Sequence, residues 1–388
     1  VPALPFADYS DLHIGKHLFY YSLLEDQKYV FHQILEAAKE EQPDAVLLCG
    51  DIYDKTIPSA EAVSLFDWFL TELKETLPKA LILIIAGNHD SGERLEFARE
   101  LLEKEGVFIA GLPPRETDEK IRKVTMTDPA GEVCFYLLPF TKPSHLRKKY
   151  EEEKIDSYED AVKKLLEEEE IDTTKRNVLL SHQFYLSGGS EPLTCDSEIR
   201  MAGGIDEIDT RLLEDFDYVA LGHIHRAQRI GKGQCYYSGT PLKYSVSEAS
   251  HEKSFQIVEL GEKGQEPVVR KKQLKPLREL CVLRGTLQEV LEQREHAKDF
   301  VSITLTDEEE PYMPKEQLEL VFDHILEIRI DNERTRRILD LYEEEEETES
   351  LFESFASFFE TVQGRSMNEA EQEAAQDAWN EIIEGGAE

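Results

Sequence analysis

The chain has 388 residues, 40% of them hydrophobic, so it is long enough to form two or three domains with at least one large core. It contains no apolar run of the roughly eighteen residues that a transmembrane helix needs, and its first residues do not follow the pattern of a secretion signal. The formal net charge of −37, from 44 basic and 81 acidic residues, excludes a protein that binds nucleic acid by bulk attraction alone. We therefore expect a cytoplasmic protein with no membrane partner.

The acidic residues are unevenly distributed. Residues 341–388 contain fifteen acidic residues and a single basic one, Arg365, and a second acidic cluster lies at 151–170. Because the acid is concentrated in these segments, the net charge does not exclude a DNA partner. The five cysteines are an odd number and form no C-x-x-C pair, which argues against disulfides and a zinc knuckle and agrees with a reducing cytosol.

The first half of the chain alternates between strand-like and helical patterns. Helical periodicity covers 60–73 and 93–105, and short apolar runs typical of buried strands lie at 45–49, 81–86, 107–110, 133–138, 177–181 and 216–220. This alternation predicts an α/β fold, a β-sandwich flanked by helices, with functional groups on the loops after the strands. At the start, Pro5 and Asp8 interrupt what we expect to be the first strand.

The rest of the chain changes pattern twice. Short strands with glycine turns fill 228–272, and a small α+β unit follows, with strands at 279–284, 300–305 and 325–330 and helices at 287–296 and 315–323. We therefore expect a main domain at 1–273, a small α+β capping domain at 274–333, and a C-terminal segment at 334–388.

The C-terminal segment begins with a solvated acidic run, "EEEEE" at 343–347. An apolar helical face follows, formed by Leu351, Phe352, Phe355, Phe358, Phe359 and Val362, and a second helix is predicted at 367–383. This face could pack on the protein's own domains, but its position behind an acidic spacer favours docking on another protein's helices.

Polar side chains of the types that bind metal ions follow five of the predicted strands. They are Asp11 and His13 in "SDLHIG", Asp51 and Asp54 in "LLCGDIYD", Asn88 and His89 in "GNHDS", His182 in "NVLLSHQ", and His223 and His225 in "YVALGHIHRA". One such residue is usually an ordinary loop residue or turn cap, but five unrelated turns would not all select metal-ligand side chains. Mixed carboxylate, imidazole and carboxamide groups suit Mn²⁺, Fe or Zn²⁺. Seven ligands from this set would be too many for one catalytic ion, whereas two ions that share a carboxylate would use seven, as in phosphoester hydrolysis.

The set D-x-H, G-D-x-x-D, G-N-H-D, H and G-H-x-H resembles that of the calcineurin-like metallophosphoesterase superfamily. Within it, "GDIYDKTIPSAEAV", "GNHDSGERLEFA", "DYVALGHIHRAQ" and "YSGTPLKYSVSEASHEKSF" resemble the SbcD-type DNA repair nucleases, over nearly the whole chain. The resemblance implies exonuclease and endonuclease hydrolysis of DNA phosphodiesters, at ends and hairpins, in DNA repair, recombination and replication.

The resemblance also implies which residues do the chemistry. One metal ion would be held by Asp11, His13, Asp51 and His225, and the other by Asp51, Asn88, His182 and His223. The two divalent ions would be Mn²⁺, with Mg²⁺ possible in vitro. His89 would be a catalytic residue that is not a ligand, steadying or protonating the departing oxygen, and Asp90 would orient a ligand.

Two protein partners are implied by the same resemblance. An SbcC-like ATPase with long coiled coils would dock on the C-terminal helices, and a second copy of the chain would form a homodimer. We place the dimer surface on helices around 59–73 and 93–102, where Trp68 and Phe69 could serve either that surface or the core.

Two other interpretations remain open. The same fold and ligands would serve a phosphatase that acts on nucleotides or proteins, because the metal ligands do not specify the substrate. A non-catalytic scaffold would have lost ligands, and none is missing here. The appended domain and the phenylalanine-rich tail favour the nuclease, since a small-molecule phosphatase needs neither.

Overall fold

The computed structural model describes residues 3–151, 154–198, 206–231, 233–309, 311–336, 351–363, 365–368, 370–372 and 374–375. The chain divides into two compact units. The first comprises Val1–Val282, Glu295–Ser302 and Phe322–Leu326, and the second Leu283–Arg294, Ile303–Val321 and Glu327–Glu388. Among the described residues, no helix combines the length and apolar character needed to cross a membrane.

One six-stranded sheet of the first unit consists of β1 Leu4–Tyr9, β4 Ala45–Cys49, β5 Leu81–Ile85, β6 Val107–Ala110, β15 Ser254–Leu260 and β16 Val268–Gln273. Its order is β16-β15-β1-β4-β5-β6. Strands β1, β4, β5 and β6 are parallel, so their carboxyl ends lie at one edge of the sheet.

A second six-stranded sheet consists of β7 Arg122–Asp128, β8 Gly131–Leu138, β9 Arg176–His182, β12 Tyr218–Gly222, β13 Gln228–Ile230 and β14 Cys235–Tyr237. Its order is β13-β14-β12-β9-β8-β7, and the central strands β8, β9, β12 and β14 are parallel. Two short pairs of strands also belong to the first unit: β2 His17–Leu18 with β3 Tyr21–Ser22, and β10 Phe184–Leu186 with β11 Glu207–Asp209.

The two sheets pack face to face, and helices cover their outer faces. These are α1 Leu24–Glu41, α2 Ala60–Thr76, the short α3 Gly92–Leu95 and α4 Arg99–Leu102, and α5 Tyr158–Glu167. Because successive strand residues point to opposite faces, Leu47 and Cys49 belong to the core between the sheets, while Leu48 packs under the helices. There Phe31 of α1 stacks on Phe69 of α2 at 4.5 Å. The predicted sandwich flanked by helices is confirmed.

The remaining elements follow residue 279. The strands β17 Leu280–Gly285, β18 Phe300–Leu305 and β19 His324–Ile330 form a three-stranded sheet, and the helices are α6 Leu287–Glu292, α7 Pro314–Glu319 and α8 Leu351–Gln363. The strand predictions hold here, whereas both predicted helices are shorter than expected. The acidic run 343–347 and most of the helix predicted at 367–383 lie outside the described residues.

Two local expectations were wrong. Strand β1 runs through both Pro5 and Asp8. Pro5 is tolerated because the parallel pairing with β4 begins only at Phe6, so that strand needs no N–H group from Pro5. Asp8 is tolerated because its buried carboxylate accepts a hydrogen bond from Tyr218. The helix predicted at 93–105 is broken in the middle, where Ala98 has a left-handed φ of 59°.

Candidate metal centre

The predicted ligands converge because five parallel strands end at the same place. Strands β1, β4 and β5 of one sheet and β9 and β12 of the other each lead into a polar loop, as α/β proteins usually arrange their sites. The structure therefore brings together all seven residues that the sequence proposes as ligands: Asp11, His13, Asp51, Asn88, His182, His223 and His225. Six of them are buried, and Asn88 is half-buried.

Four of these residues adopt a left-handed backbone conformation. The φ angles are 51° at Asp11, 43° at His13, 49° at Asp51 and 93° at His223. Such angles are uncommon outside glycine and cost about 1–3 kcal/mol each where they are strained. Their concentration at one point of a regular sandwich indicates that the loops are shaped for the site and not for folding stability.

Glycines before the ligands allow the loops to approach closely. A Cβ atom on Gly222 would lie 1.9 Å from the carbonyl oxygen of Cys49 and 2.5 Å from Nδ1 of His182. A Cβ atom on Gly87 would lie 2.1 Å from Oδ1 of Asp51. The glycines of the G-N-H and G-H sequences are therefore needed for the ligand loops to pack this closely.

The first proposed ligand set surrounds His13. Its Nε2 lies 3.3 Å from Nε2 of His225 and 3.6 Å from Oδ2 of Asp51. Asp11, His13 and His225 each offer a ligand atom within 4.8 Å of the others. Two imidazole nitrogens that face each other at this distance need a cation or a proton between them.

The second set surrounds His182. Its Nε2 lies 3.1 Å from Oδ1 of Asn88 and 3.4 Å from Oδ2 of Asp51, while Nδ1 of His223 lies 3.1 Å from the same Asn88 oxygen. The Nδ1 of His182 bonds to the carbonyl oxygen of Cys49 at 2.7 Å, so this N–H donates away from the centre and leaves Nε2 to face it. Oδ2 of Asp51 is close to both sets, as a bridging ligand must be.

The electrostatics of the site favour metal binding. Burial holds the pKa of His13 well below its ordinary value and lowers the pKa of His223 to about 3, so both imidazoles are neutral at neutral pH. Burial alone would lower the pKa of His182 as well, but the Asp51 carboxylate outweighs it and raises that pKa to about 9. A neutral imidazole is the form that binds metal, and at His182 a cation would replace the proton.

The residues present fit a pair of divalent cations. They supply carboxylate, imidazole and carboxamide atoms without thiolate, and six of the seven residues are buried. A buried polar set of this kind is costly unless a bound ion compensates it.

His89 lies beside the ligands and has a fixed tautomer. Its Nδ1 is 2.8 Å from the carbonyl oxygen of Asp54, which only accepts hydrogen bonds, so Nδ1 carries a proton and Nε2 is the nitrogen left to exchange one. The backbone N–H of His89 donates to Oδ1 of Asp51 at 2.8 Å. Asp54, the remaining acid of "GDIYD", forms an ion pair with Lys16 at 2.9 Å.

Asp90 holds two ligand loops together. Its carboxylate accepts backbone hydrogen bonds from Gly87 at 2.9 Å, Ile52 at 3.1 Å and Tyr53 at 2.9 Å. It thus ties the loop of Asp51 to the loop of Asn88 through the backbone and not through a ligand side chain.

The sequence reasoning missed the residues that position His225. Ser197 Oγ lies 2.8 Å from Nδ1 of His225 and donates to Glu248 at 2.6 Å. The Glu248 carboxylate is fully buried and pairs with Lys253 at 2.5 Å. Glu248 stands within the stretch "YSVSEASHEKSF", but a lone glutamate so far from His225 in sequence gave no signal of its own.

Comparisons with known proteins show which families this chain is similar to. A model of the calcineurin-like phosphoesterase family matches residues 4–227, and a model described as the type 5 capsule protein repressor C-terminal domain matches residues 276–363. Two solved structures, a Thermus thermophilus protein and a dimetal phosphatase from Danio rerio, each cover 70% of this chain and 99% of their own at 12% identity. Their TM-scores are 0.37 and 0.38.

Curated relatives cover most of the chain. The SbcD subunit of nuclease SbcCD from Staphylococcus epidermidis is 32% identical over 325 residues, which cover 82% of this chain and 83% of that protein. The corresponding protein of Staphylococcus saprophyticus is 32% identical over 295 residues and 74% of each chain. The predicted resemblance is confirmed: the chain belongs to the calcineurin-like phosphoesterase family and, within it, to the family of the SbcD subunit of nuclease SbcCD, whose phosphoesterase domain marks a metal-dependent hydrolase.

Proposed function

We propose that this protein is a cytoplasmic nuclease that hydrolyses DNA phosphodiesters, at ends and hairpins, with two divalent metal ions. The observation that carries the proposal is the arrangement of seven ligand atoms in two sets around Asp51, with His89 beside them. Bound cations would neutralise charge on the phosphate and activate a water nucleophile. We propose Mn²⁺ as the activating ion, since the ligands are oxygen and imidazole groups without sulfur.

Residues of the chain would contact the phosphate and supply the proton for the departing oxygen. Asn88 and His89 line an open cleft of about 440 Å³ with Asp54, Lys55, Thr56 and Ile57, so a phosphate at the centre would contact His89 from this side. The N–H group at Nδ1 of His89 donates to the carbonyl oxygen of Asp54. In the protonated ring, the N–H group at Nε2 would therefore donate to the departing oxygen.

The principal test compares two variants. His89→Ala should lower kcat by about 10²–10⁴-fold and retain two metal ions, because His89 is not a ligand. Asp51→Ala should lose metal and activity together, and His17→Ala, an exposed histidine nearby, should change neither. Cleavage of DNA hairpins and of p-nitrophenyl phosphate would be measured together with bound metal. Near-normal cleavage by His89→Ala would refute the assigned role, and turnover of the monoester alone would indicate a phosphatase.

A basic cleft beside the centre suits a nucleic acid strand. It has a volume of about 610 Å³ and begins at His225, and its lining includes the cations Arg226, Lys271 and Lys272 and the acid Glu252. Arg226 and Lys271 are exposed, whereas Lys272 is already paired with Glu40 at 2.9 Å. In a chain of net charge −37, this local concentration of cations would let a phosphate backbone approach the metal ligands.

The cleft makes a specific prediction about salt. Arg226→Ala and Lys271→Ala should each weaken DNA binding and reduce the slope of log affinity against log salt by about one. Lys163→Ala, which removes an exposed lysine from helix α5, is the matched control. Unchanged slopes in both cleft variants would place the DNA elsewhere.

We propose an SbcC-like coiled-coil ATPase as the partner of helix α8. Phe358 and Val362 are 64% and 60% exposed, so these apolar side chains are available to a partner. The side chain of Phe352 lies outside the described residues. Burying such side chains is worth about 1.5–3 kcal/mol each.

Truncation before Glu343 tests the partner surface. The shortened protein should still cleave simple DNA substrates, because the metal centre belongs to the other unit, but should bind the ATPase more weakly and lose ATP-dependent activity on blocked ends. Phe358→Asp in the full chain should act in the same direction. Unchanged partner binding would indicate that the helix serves the protein's own core.

We also propose a homodimer through exposed apolar residues around α2 to α4. Phe97 is 83% and Leu101 is 65% exposed, whereas Phe69 is fully buried and belongs to the core. Phe97→Asp should shift the sedimentation of the protein toward monomer, and Tyr20→Asp, at another exposed aromatic residue, should not. Wild-type protein that sediments only as monomer at micromolar concentration would refute the dimer. The division into domains at 1–273, 274–333 and 334–388 stays a prediction.

A further inference from the structure

A second cluster of metal-ligand side chains lies outside the phosphoesterase centre, at the beginning of β17 and in the turn before β18. Sγ of Cys281 lies 3.3 Å from Nδ1 of His296 and 3.8 Å from Oδ2 of Asp299, and the latter two atoms are 3.0 Å apart. All three residues belong to the first compact unit. None of them is used by the proposed reaction.

The spacing of these three atoms suits a single tetrahedral ion. Zinc binds thiolate at about 2.3 Å, imidazole at about 2.0–2.1 Å and carboxylate at about 2.0–2.2 Å, so tetrahedral angles place the ligand atoms about 3.3–3.6 Å apart. The observed separations of 3.0–3.8 Å need changes of only a few tenths of an ångström. Small side-chain rotations would supply them.

The surroundings leave the ligand atoms available. The backbone N–H of Glu279 donates to Oδ1 of Asp299 at 3.0 Å, which fixes this carboxylate and turns its other oxygen toward Cys281 and His296. The side chains of His296 and Asp299 are 32% and 22% exposed, so an ion can enter from solvent and water can complete its coordination. The carboxylate is therefore oriented in advance while the site stays open on one side.

We propose that Cys281, His296 and Asp299 bind one Zn²⁺ ion, at a site separate from the phosphoesterase centre and different in metal preference. Thiolate and imidazole favour zinc over manganese, whereas none of the seven proposed phosphoesterase ligands is a cysteine. In the metal-free protein, burial raises the pKa of the Cys281 thiol to about 11, with Asp299 adding to the effect, so zinc binding releases a proton. The ion would clamp the start of β17 to the turn before β18.

The presence of one thiolate gives the site its own spectroscopic signal. We would titrate the reduced, metal-free full-length protein with Co²⁺ and measure the thiolate-to-cobalt charge-transfer absorption in the near ultraviolet. Wild-type protein should develop this band to the amplitude of one thiolate-bound Co²⁺ per chain, and excess Zn²⁺ should abolish it. Cys281→Ser should lack the band, and its zinc affinity should fall at least about tenfold. Mn²⁺-dependent phosphoesterase activity should be unchanged in this variant, so the result does not depend on the proposed function.

Two further variants make the outcome decisive. Cys195→Ser should keep the band, although Cys195, His225 and Glu248 each offer a ligand atom within 4.8 Å of the others. If Cys281→Ser does not fold, His296→Ala provides the same test through an altered band and weaker zinc binding. Absence of the band in wild-type protein, or a band that survives loss of Cys281 or His296 unchanged, would overturn the proposal.

Discussion

Replacing the buried acid Asp8 by asparagine should make the protein more stable at alkaline pH. Asp8 has no exposed surface in strand β1, where the Tyr218 hydroxyl donates to its Oδ2 at 2.8 Å. Burial raises the pKa of Asp8 from 3.8 to about 7, against the effect of its hydrogen bonds. The folded state therefore favours the protonated acid, and its stability falls as pH rises from the unfolded-state pKa through the folded-state pKa.

The size of the effect follows from proton linkage. A displacement of the pKa from 3.8 to about 7 costs about 4 kcal/mol once Asp8 is ionised in both states, and about 2.5 kcal/mol of this appears between pH 5 and pH 8. Asparagine has nearly the same shape and cannot ionise. The free energy of unfolding of Asp8→Asn, relative to wild type, should therefore rise by about 2.5 kcal/mol between these two pH values.

Urea unfolding of both proteins at pH 5, 6, 7 and 8 would measure this difference. The comparison between pH values cancels contributions that do not depend on pH, such as the new amide N–H groups near Cys49. Asp67→Asn, at an exposed position on α2, is the matched control and should show no such trend. Parallel stability curves for wild type and Asp8→Asn would refute the reasoning.

Three further substitutions test contacts that hold the site and the sandwich. Glu248→Gln should weaken Mn²⁺ binding by about 10–100-fold in calorimetric titration, because it weakens the charged network on His225. Arg176→Met should lower the free energy of unfolding by about 3–5 kcal/mol in urea, since it leaves Asp128 without its buried partner at 3.0 Å. Gly222→Ala should cost at least about tenfold in metal affinity, measured in the same titration, because the added methyl group would displace a ligand strand.

Each of these substitutions has a matched control in the chain. Glu252→Gln changes an exposed glutamate of the Glu248 loop and should leave metal binding unchanged. Arg211→Met breaks an ion pair whose arginine is 78% exposed and should cost less than about 1 kcal/mol. Gly233→Ala adds a Cβ atom whose only neighbour within 4 Å among the described residues is Sγ of Cys235, at 3.9 Å, and it should not change the metal affinity. Equal effects in a variant and its control would contradict the corresponding argument.

The sequence by itself predicted the sandwich and the side chains that meet at its edge. Both predictions rest on local patterns: strands such as β4 are short apolar runs, and Asp51 follows directly in the chain. Because parallel strands share one carboxyl edge, the residues after them lie at that edge, and those of neighbouring strands lie close together. The same local reasoning located the strands of the small sheet.

Only the tertiary structure decided the contacts between segments that are distant in sequence. Glu248 reaches His225 because a loop after β14 folds back over the ligand, and no local pattern reports that return. Phe69 and Phe97 both lie in stretches that the sequence predicts to be helical, yet Phe69 is fully buried against α1 and Phe97 is 83% exposed. Cys281, His296 and Asp299 have no motif spacing and meet because sheet pairing brings β17 beside β18. Local periodicity fixes which face a residue takes, whereas the strand order fixes what that face meets.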